Sequence, residues 1–333
     1  MKGLHIILFA SIIFLSIAVC QEDVSGGTAS VTKVATSAAN WLKIESGARG
    51  ISMGGSQVAS GRGIAGAYFN PASIAFIKSS ETYFSKSAYL AGITHNTIGY
   101  GTRLTPTDYF GIHLFYLDSG EMEVTTVPSP NGTGEYFKVL DLSLRLIYGK
   151  QLTDRLRIGG SIKYIREQIY TTHMQSFVFD LGSNFNTGIN GIILGMSVSN
   201  FGPEVQFSGE GLEQQVSDTL SVDGTLSKLT DKFPIPMSFR LGVKKDVFDN
   251  SIHKLTVAMD GVNPVDYVVT GNIGLEYSWL ETAYVRGGTH LNHDTASFTV
   301  GGGIKIGNIF VDYAYANYGI LENTNQFGLR FGF

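Results

Sequence analysis

The sequence predicts an all-β protein, a transmembrane antiparallel β-barrel of about fourteen strands. Three observations carry that reading: an alternating terminal strand, an apolar leader, and strand-length stretches joined by connections of unequal length. In Q-F-G-L-R-F-G-F (Gln326–Phe333), Phe327, Leu329, Phe331 and Phe333 share one face of a period-2 strand. Gln326, Gly328, Arg330 and Gly332 share the other. The apolar face needs burial and the backbone needs partners. A soluble sheet could supply both, but an aromatic residue beside a terminal carboxylate suits a hydrocarbon wall that meets water.

The leader has a basic start at Lys2, an apolar run from Leu4 to Val19, and then Gln21-Glu22-Asp23. This reads as a secretory signal peptide over residues 1–20, cleaved after Cys20 with Ala18 and Cys20 as the small flanking residues. The alternative that Cys20 is an acylated first residue meets a poor neighbour in Val19. Cleavage there removes the one cysteine and with it any disulfide or thiol chemistry. The last strand resembles the C-terminal assembly signal of bacterial outer-membrane barrels, with Phe327, Gly328, Phe331 and Phe333 in the positions that carry it. The resemblance implies outer-membrane lipid and the barrel-assembly machinery as partners. Beyond the leader no apolar run approaches the ~20 residues that a spanning helix needs. The net charge of −4 argues against nucleic acid.

The strands follow in order at about 82–91, 97–105, 109–126, 136–150, 155–171, 174–186, 190–201, 237–248, 252–262, 267–279, 282–290, 296–306, 309–317 and 325–333. Several alternate cleanly. Leu140, Leu142, Leu144, Leu146 and Tyr148 oppose Asp141, Ser143 and Arg145; Phe239, Leu241 and Val243 oppose Arg240, Gly242 and Lys244. Ile273, Leu275, Tyr277 and Trp279 oppose Asn272, Gly274, Glu276 and Ser278; Val311, Tyr313 and Tyr315 oppose Asp312, Ala314 and Ala316. Periodicity alone does not separate a soluble sandwich, whose apolar face is the core, from a barrel, whose apolar face meets lipid. Connection lengths do. Those after even-numbered strands are all short, while those after odd-numbered strands include the long segments 127–135 and 202–236. Tight turns on one side and longer loops on the other are a feature of outer-membrane barrels. Tyr109, Phe110, Tyr148, Phe185, Phe248, Trp279, Tyr284, Phe310 and Phe333 all fall near the short turns or the last residue, where an interfacial girdle is expected.

Residues 21–80 do not alternate. Ser37–Ile44 reads as a short helix, and G-A-R-G-I-S-M-G-G (Gly47–Gly55) follows with G-R-G-I-A-G-A-Y-F-N-P-A-S-I-A-F (Gly61–Phe76). No strand precedes Gly47 and no Lys-Ser/Thr closes the loop, so a phosphate loop is excluded. Backbone with small residues suits a confined path where side chains do not fit. The run from Trp41 to Ala59, with A-Y-F-N-P-A-S-I-A-F at Ala67–Phe76, resembles the N-terminal signature of the PorV/PorQ family, relatives of the FadL-type channels. The matching positions include Gly47, Ala48, Arg49, Met53, Gly54, Gly55, Asn70, Pro71 and Ala72. The resemblance implies a fourteen-stranded barrel (residues 81–333) whose N-terminal segment (21–80) folds inside as a plug. It also implies a role in binding exported proteins or a subunit of a type IX secretion complex. In one departure from the family, Ser60-Gly61-Arg62-Gly63 replaces its usual acidic pair.

The inward faces predicted by phase carry Arg103, Asp141, Arg145, Lys163, Arg240, Lys244, Glu276, Asp312 and Arg330. Charges inside a barrel must be hydrated or paired. The set points equally to a paired network holding a plug and to ordinary lining of a wet lumen. For Arg49 the anionic partners in phase are Asp141, Glu276 and Asp312. Nothing reads as a catalytic constellation, and no cofactor site is expected. H-L-N-H-D (His290–Asp294) could offer metal ligands, but with His95 and His173 it reads as solvated outer loop. The alternative function is a FadL-like channel admitting hydrophobic small molecules. That reading requires an apolar pocket, and the inward set named above is charged.

Overall fold

A computed structural model describes residues 36–217 and 223–333, so the proposed signal peptide lies outside the described residues. Fourteen strands form the wall: β1 (Ser80–Ala88), β2 (Thr94–Arg103), β3 (Asp108–Asp118), β4 (Val139–Gln151), β5 (Leu156–Ile169), β6 (Thr172–Asn186), β7 (Ile192–Phe201), β8 (Ser238–Asp249), β9 (His253–Pro264), β10 (Thr270–Trp279), β11 (Ala283–Leu291), β12 (Phe298–Ile306), β13 (Ile309–Asn317) and β14 (Asn323–Gly332). Each pairs antiparallel with the next. β14 pairs back onto β1, from Glu81 opposite Gly332 to Ala88 opposite Asn325, so the sheet closes and has no open edge. Closure lets a sheet stand in hydrocarbon, since each wall strand then has a neighbour on both sides.

The burial of the alternating faces decides between sandwich and barrel. Along β4, Leu144, Leu146 and Tyr148 are exposed while Asp141, Ser143 and Arg145 are buried. On β11 Val285 is 66% exposed and its neighbour Arg286 4%; on β14 Phe327 is 60% exposed and Gln326 1%. Apolar residues outside and charges inside invert the soluble pattern, and only a lipid surround makes that inversion favourable. Tyr109 departs from the expected girdle. Consecutive strand residues point to opposite faces, so with Phe110 outward Tyr109 packs inside against Ile74 and Ile147.

The turns after even-numbered strands are short, as at Gly307-Asn308 between β12 and β13. At the opposite end two connections build structure of their own. The third strand stops at Asp118, because Gly120 turns the chain with φ 77°. Met122–Glu123 then pairs with Tyr136–Phe137 as a separate hairpin. The 202–237 connection holds a hairpin of Glu213–Ser217 with Asp223–Ser227, and its Ser208-Gly209 pairs with Thr172-His173 of β6. That pairing follows from a bulge. Phe179 faces Phe201, but Leu181 faces Val198, so one residue of β6 opposes two of β7. Asn200, at φ 63°, makes the kink. Beyond it the loop end of β6 takes its partner from the connection instead of from β7.

Residues 36–79 run through the barrel. They form a 3-10 turn at Asn40–Lys43, the short helices α1 (Ala48–Ser52) and α2 (Gly63–Gly66), and a 3-10 stretch at Pro71–Phe76. Asn70 caps that stretch by accepting from the Ala72 amide at 3.0 Å, with Pro71 where its missing N–H costs nothing. The segment touches inward residues on strands all round the wall, which a chain segment can do only from within the cylinder. Inward glycines of the wall make room. A Cβ at Gly182 would stand 2.1 Å from Asn70 Oδ1, one at Gly195 2.4 Å from the Val58 carbonyl oxygen, and one at Gly288 2.2 Å from the Gly54 amide nitrogen.

Candidate functional site

Two ionic clusters occupy the middle of the lumen. In the first, Arg49 on α1 grips Glu276 of β10 with both arms, Nε to Oε2 at 2.8 Å and Nη2 to Oε1 at 2.9 Å. Its remaining nitrogen donates to Gln57 Oε1 and to the Ser60 carbonyl. Glu276 also accepts from Arg286 Nε at 2.6 Å, and Arg286 Nη1 donates to Asp312 Oδ1 at 2.6 Å. Of the three partners open to Arg49 by phase, the fold selects Glu276. The relay Arg49–Glu276–Arg286–Asp312 alternates in sign, which lets four charges share a nearly dry space. Arg286 escaped the sequence reading, although outward Val285 beside it carried the signal.

In the second cluster Asp180 of β6 takes Lys163 Nζ at 2.7 Å and Arg145 Nε at 3.5 Å. It also accepts from Ser161 and from the Asn200 amide. Lys163 reaches Asn200 Oδ1 as well, and Arg145 donates to the Ala67 carbonyl at 2.8 Å, tying the N-terminal segment to the wall. Asp180 and Asp260 redress the basic excess of the expected inward set. Asp260 Oδ2 accepts from the Val58 amide at 2.8 Å. Arg240 lies over the Phe69 ring, with two guanidinium nitrogens lacking hydrogen-bond partners. Arg330 points inward, 3.8 Å from Glu81 and stacked on Phe310 at 3.9 Å. Arg103 does not line the lumen: it donates to Thr105 and Pro106 carbonyls in an exposed turn.

Where the sequence has Arg62 in place of an acidic pair, its guanidinium stands 3.7 Å over Phe76, and Arg157 stands 4.3 Å over the same ring. The aromatic face offers both cations the negative potential that a carboxylate would otherwise provide. An enclosed cavity of about 20 Å³ lies beside Arg49, Arg62, Phe69 and Tyr83, room for about one water.

Apolar layers flank the ionic middle. Toward the short turns, Ile64, Ala67, Ile74 and Ile77 pack on Tyr83, Tyr109 and Ile147. Toward the loops a larger cluster gathers Trp41 and Leu42 of the N-terminal segment, Phe115 and Leu117 of β3, Ile165 of β5 and Met174 and Val178 of β6. Val205 and Ile235 of the long connection complete it, with Phe207 and Phe233 packed alongside. The charged inward set therefore described chiefly the middle of the lumen, while its Asp141 stands at the loop end opposite Leu117. His95 belongs to this end too. Expected in a solvated loop, it lies on β2, fully buried, with its ring stacked on Phe115 at 5.2 Å. His290 and His293 stand 5.7 Å apart, and no group of three or more metal-ligating side chains forms among the described residues.

No family model matches the sequence, and no curated protein matches it. Solved structures do match the fold. The Pseudomonas putida toluene transporter TodX aligns with a TM-score of 0.57 at 13% identity, over 86% of this chain and 96% of that one. The CymD monoaromatic hydrocarbon channel aligns with a TM-score of 0.56 at 12% identity, over 86% and 97%. A Pseudomonas aeruginosa FadL homologue aligns with a TM-score of 0.53 at 12% identity, again over 86% and 97%. The chain thus shares the fold of these proteins, a closed fourteen-stranded antiparallel β-barrel.

Proposed function

We propose that this chain is a plugged channel that admits hydrophobic small molecules across the outer membrane, and not an enzyme. One observation carries the reading: the apolar cluster at the loop end, built jointly by the N-terminal segment, three strands and the long connection. An apolar compartment over a tightly paired ionic middle would accept a hydrophobic molecule at the mouth and resist free passage of water and ions. The similarity in fold to a monoaromatic hydrocarbon channel and a toluene transporter supports the same class of cargo. The protein-export role implied by the PorV/PorQ resemblance finds no support among the comparisons. We further infer that the last strand, through Phe327, Gly328, Phe331 and Phe333, is the element handled by the barrel-assembly machinery.

Cells lacking and carrying the protein should differ in uptake of radiolabelled ethylbenzene, with faster entry in the carriers. Equal rates would remove the channel reading.

A further inference from the structure

The apolar compartment at the loop end already holds one aromatic guest. Trp41 stacks on Phe115 with ring centres 5.8 Å apart and planes 12° from parallel. Its indole Nε1–H donates to Glu167 Oε2 at 3.2 Å, and the Ala39 amide donates to the same oxygen at 3.0 Å. The turn that presents Trp41 begins at Ala39 with φ 53°, a left-handed backbone that alanine adopts only when contacts hold it.

The strand register adds the charge. Leu117, Asp141, Glu167 and Met174 lie side by side across β3 to β6 on the inner wall. Asp141 and Glu167 are direct cross-strand partners, two acidic side chains facing each other across the strands. Among the described residues neither carboxylate has a lysine or arginine within ion-pair distance. Asp141 is 4% exposed, and its Oδ1 has no hydrogen-bond partner. An aromatic slot, two facing carboxylates and one unanswered buried acceptor therefore share a wall, with a side chain of this protein filling the slot.

We propose that the Trp41 position is a binding site for an aromatic molecule carrying an ammonium group, with Trp41 as the occupant it displaces. The ligand ring takes the place of the indole on Phe115. Its ammonium replaces the indole N–H at Glu167 and supplies the donor that Asp141 lacks. Leu117, Ile165 and Met174 receive the rest of its apolar surface. A carboxylate-headed ligand would meet two carboxylates, and a plain hydrocarbon would leave both unpaired, so the slot discriminates by charge. This inference rests on the small-molecule channel reading and names its ligand.

The test uses the full-length protein in detergent with Trp279→Phe, which leaves Trp41 as the only tryptophan. Phenethylamine, ethylbenzene and phenylacetate present one ring with a positive, neutral or negative end. Phenethylamine should shift Trp41 emission to the red and bind at least about tenfold more tightly than the other two. Glu167→Gln and Asp141→Asn should each weaken phenethylamine by at least about tenfold and leave ethylbenzene unchanged. Trp41→Ala, followed by calorimetry, should tighten phenethylamine, because the competing occupant is gone. That variant keeps the test alive if the carboxylate variants fail to assemble. Equal affinities for the three compounds, or phenethylamine binding indifferent to all three substitutions, would overturn the site. Ethylbenzene uptake by cells reads the channel separately: uptake without ammonium preference leaves the channel and removes the site, and binding of phenethylamine without uptake does the reverse.

Discussion

Glu276 concentrates the electrostatics of the lumen in one carboxylate. It answers two guanidiniums, Arg49 of the N-terminal segment and Arg286 of the next strand. Removing one partner of a buried ion pair strands the other charge, at a cost of about 3–5 kcal/mol. Glu276→Ala should therefore lower the unfolding temperature of the refolded barrel and loosen α1, raising single-channel conductance in planar bilayers. A variant as stable and as closed as the parent would show that the Gln57 and Ser60 contacts hold Arg49 without it. The inward phase of Glu276 was legible in the sequence, since Leu275 and Tyr277 flank it with outward apolar groups. Its choice over Asp141 and Asp312 was not, because phase reports a face and not a position round the cylinder.

Among the elements, β14 and the glycine-bearing strands make separate demands. β14 must pair with both β13 and β1 to leave no open edge in lipid. Deleting Phe333, or placing a charge there, should reduce the heat-modifiable folded form in membranes far more than the same change in the 202–236 connection. Equal membrane yields for the two would count against the assembly role of that strand. Gly182 of β6 faces Asn70 and Pro71 so closely that any side chain must push them away. Gly182→Val should leave the wall assembled, since strands tolerate valine, yet displace the segment and destabilise its packing by about 1–3 kcal/mol. Protection of the 36–79 amides from hydrogen exchange should fall while that of the strands stays high. Unchanged protection would mean the wall bends instead. The bulge between β6 and β7 was invisible in the sequence, because one extra residue in an alternating strand looks like a change of phase.

For the whole molecule, the inner segment and the wall must be weighed together. Deleting residues 24–66 should yield a barrel that fractionates with outer membranes but conducts ions in planar bilayers far better than the parent. Unchanged conductance would place the barrier elsewhere, with the 202–237 connection as the next candidate. Strand number, turn asymmetry and the polar-apolar alternation were determined by the sequence alone, because each is set by neighbours one or two residues apart. The inner run of Gly47–Gly55 and Asn70-Pro71-Ala72 was also marked locally, by small residues and a capped proline turn. Only the tertiary structure decided which face of the alternation meets lipid, since a period of two reads the same from either side. It alone brought Trp41 to Glu167 across 126 positions and gathered Val205 and Met174 into one apolar cluster. Pairings of that range depend on where closure of the barrel sets each strand, and no local pattern records that.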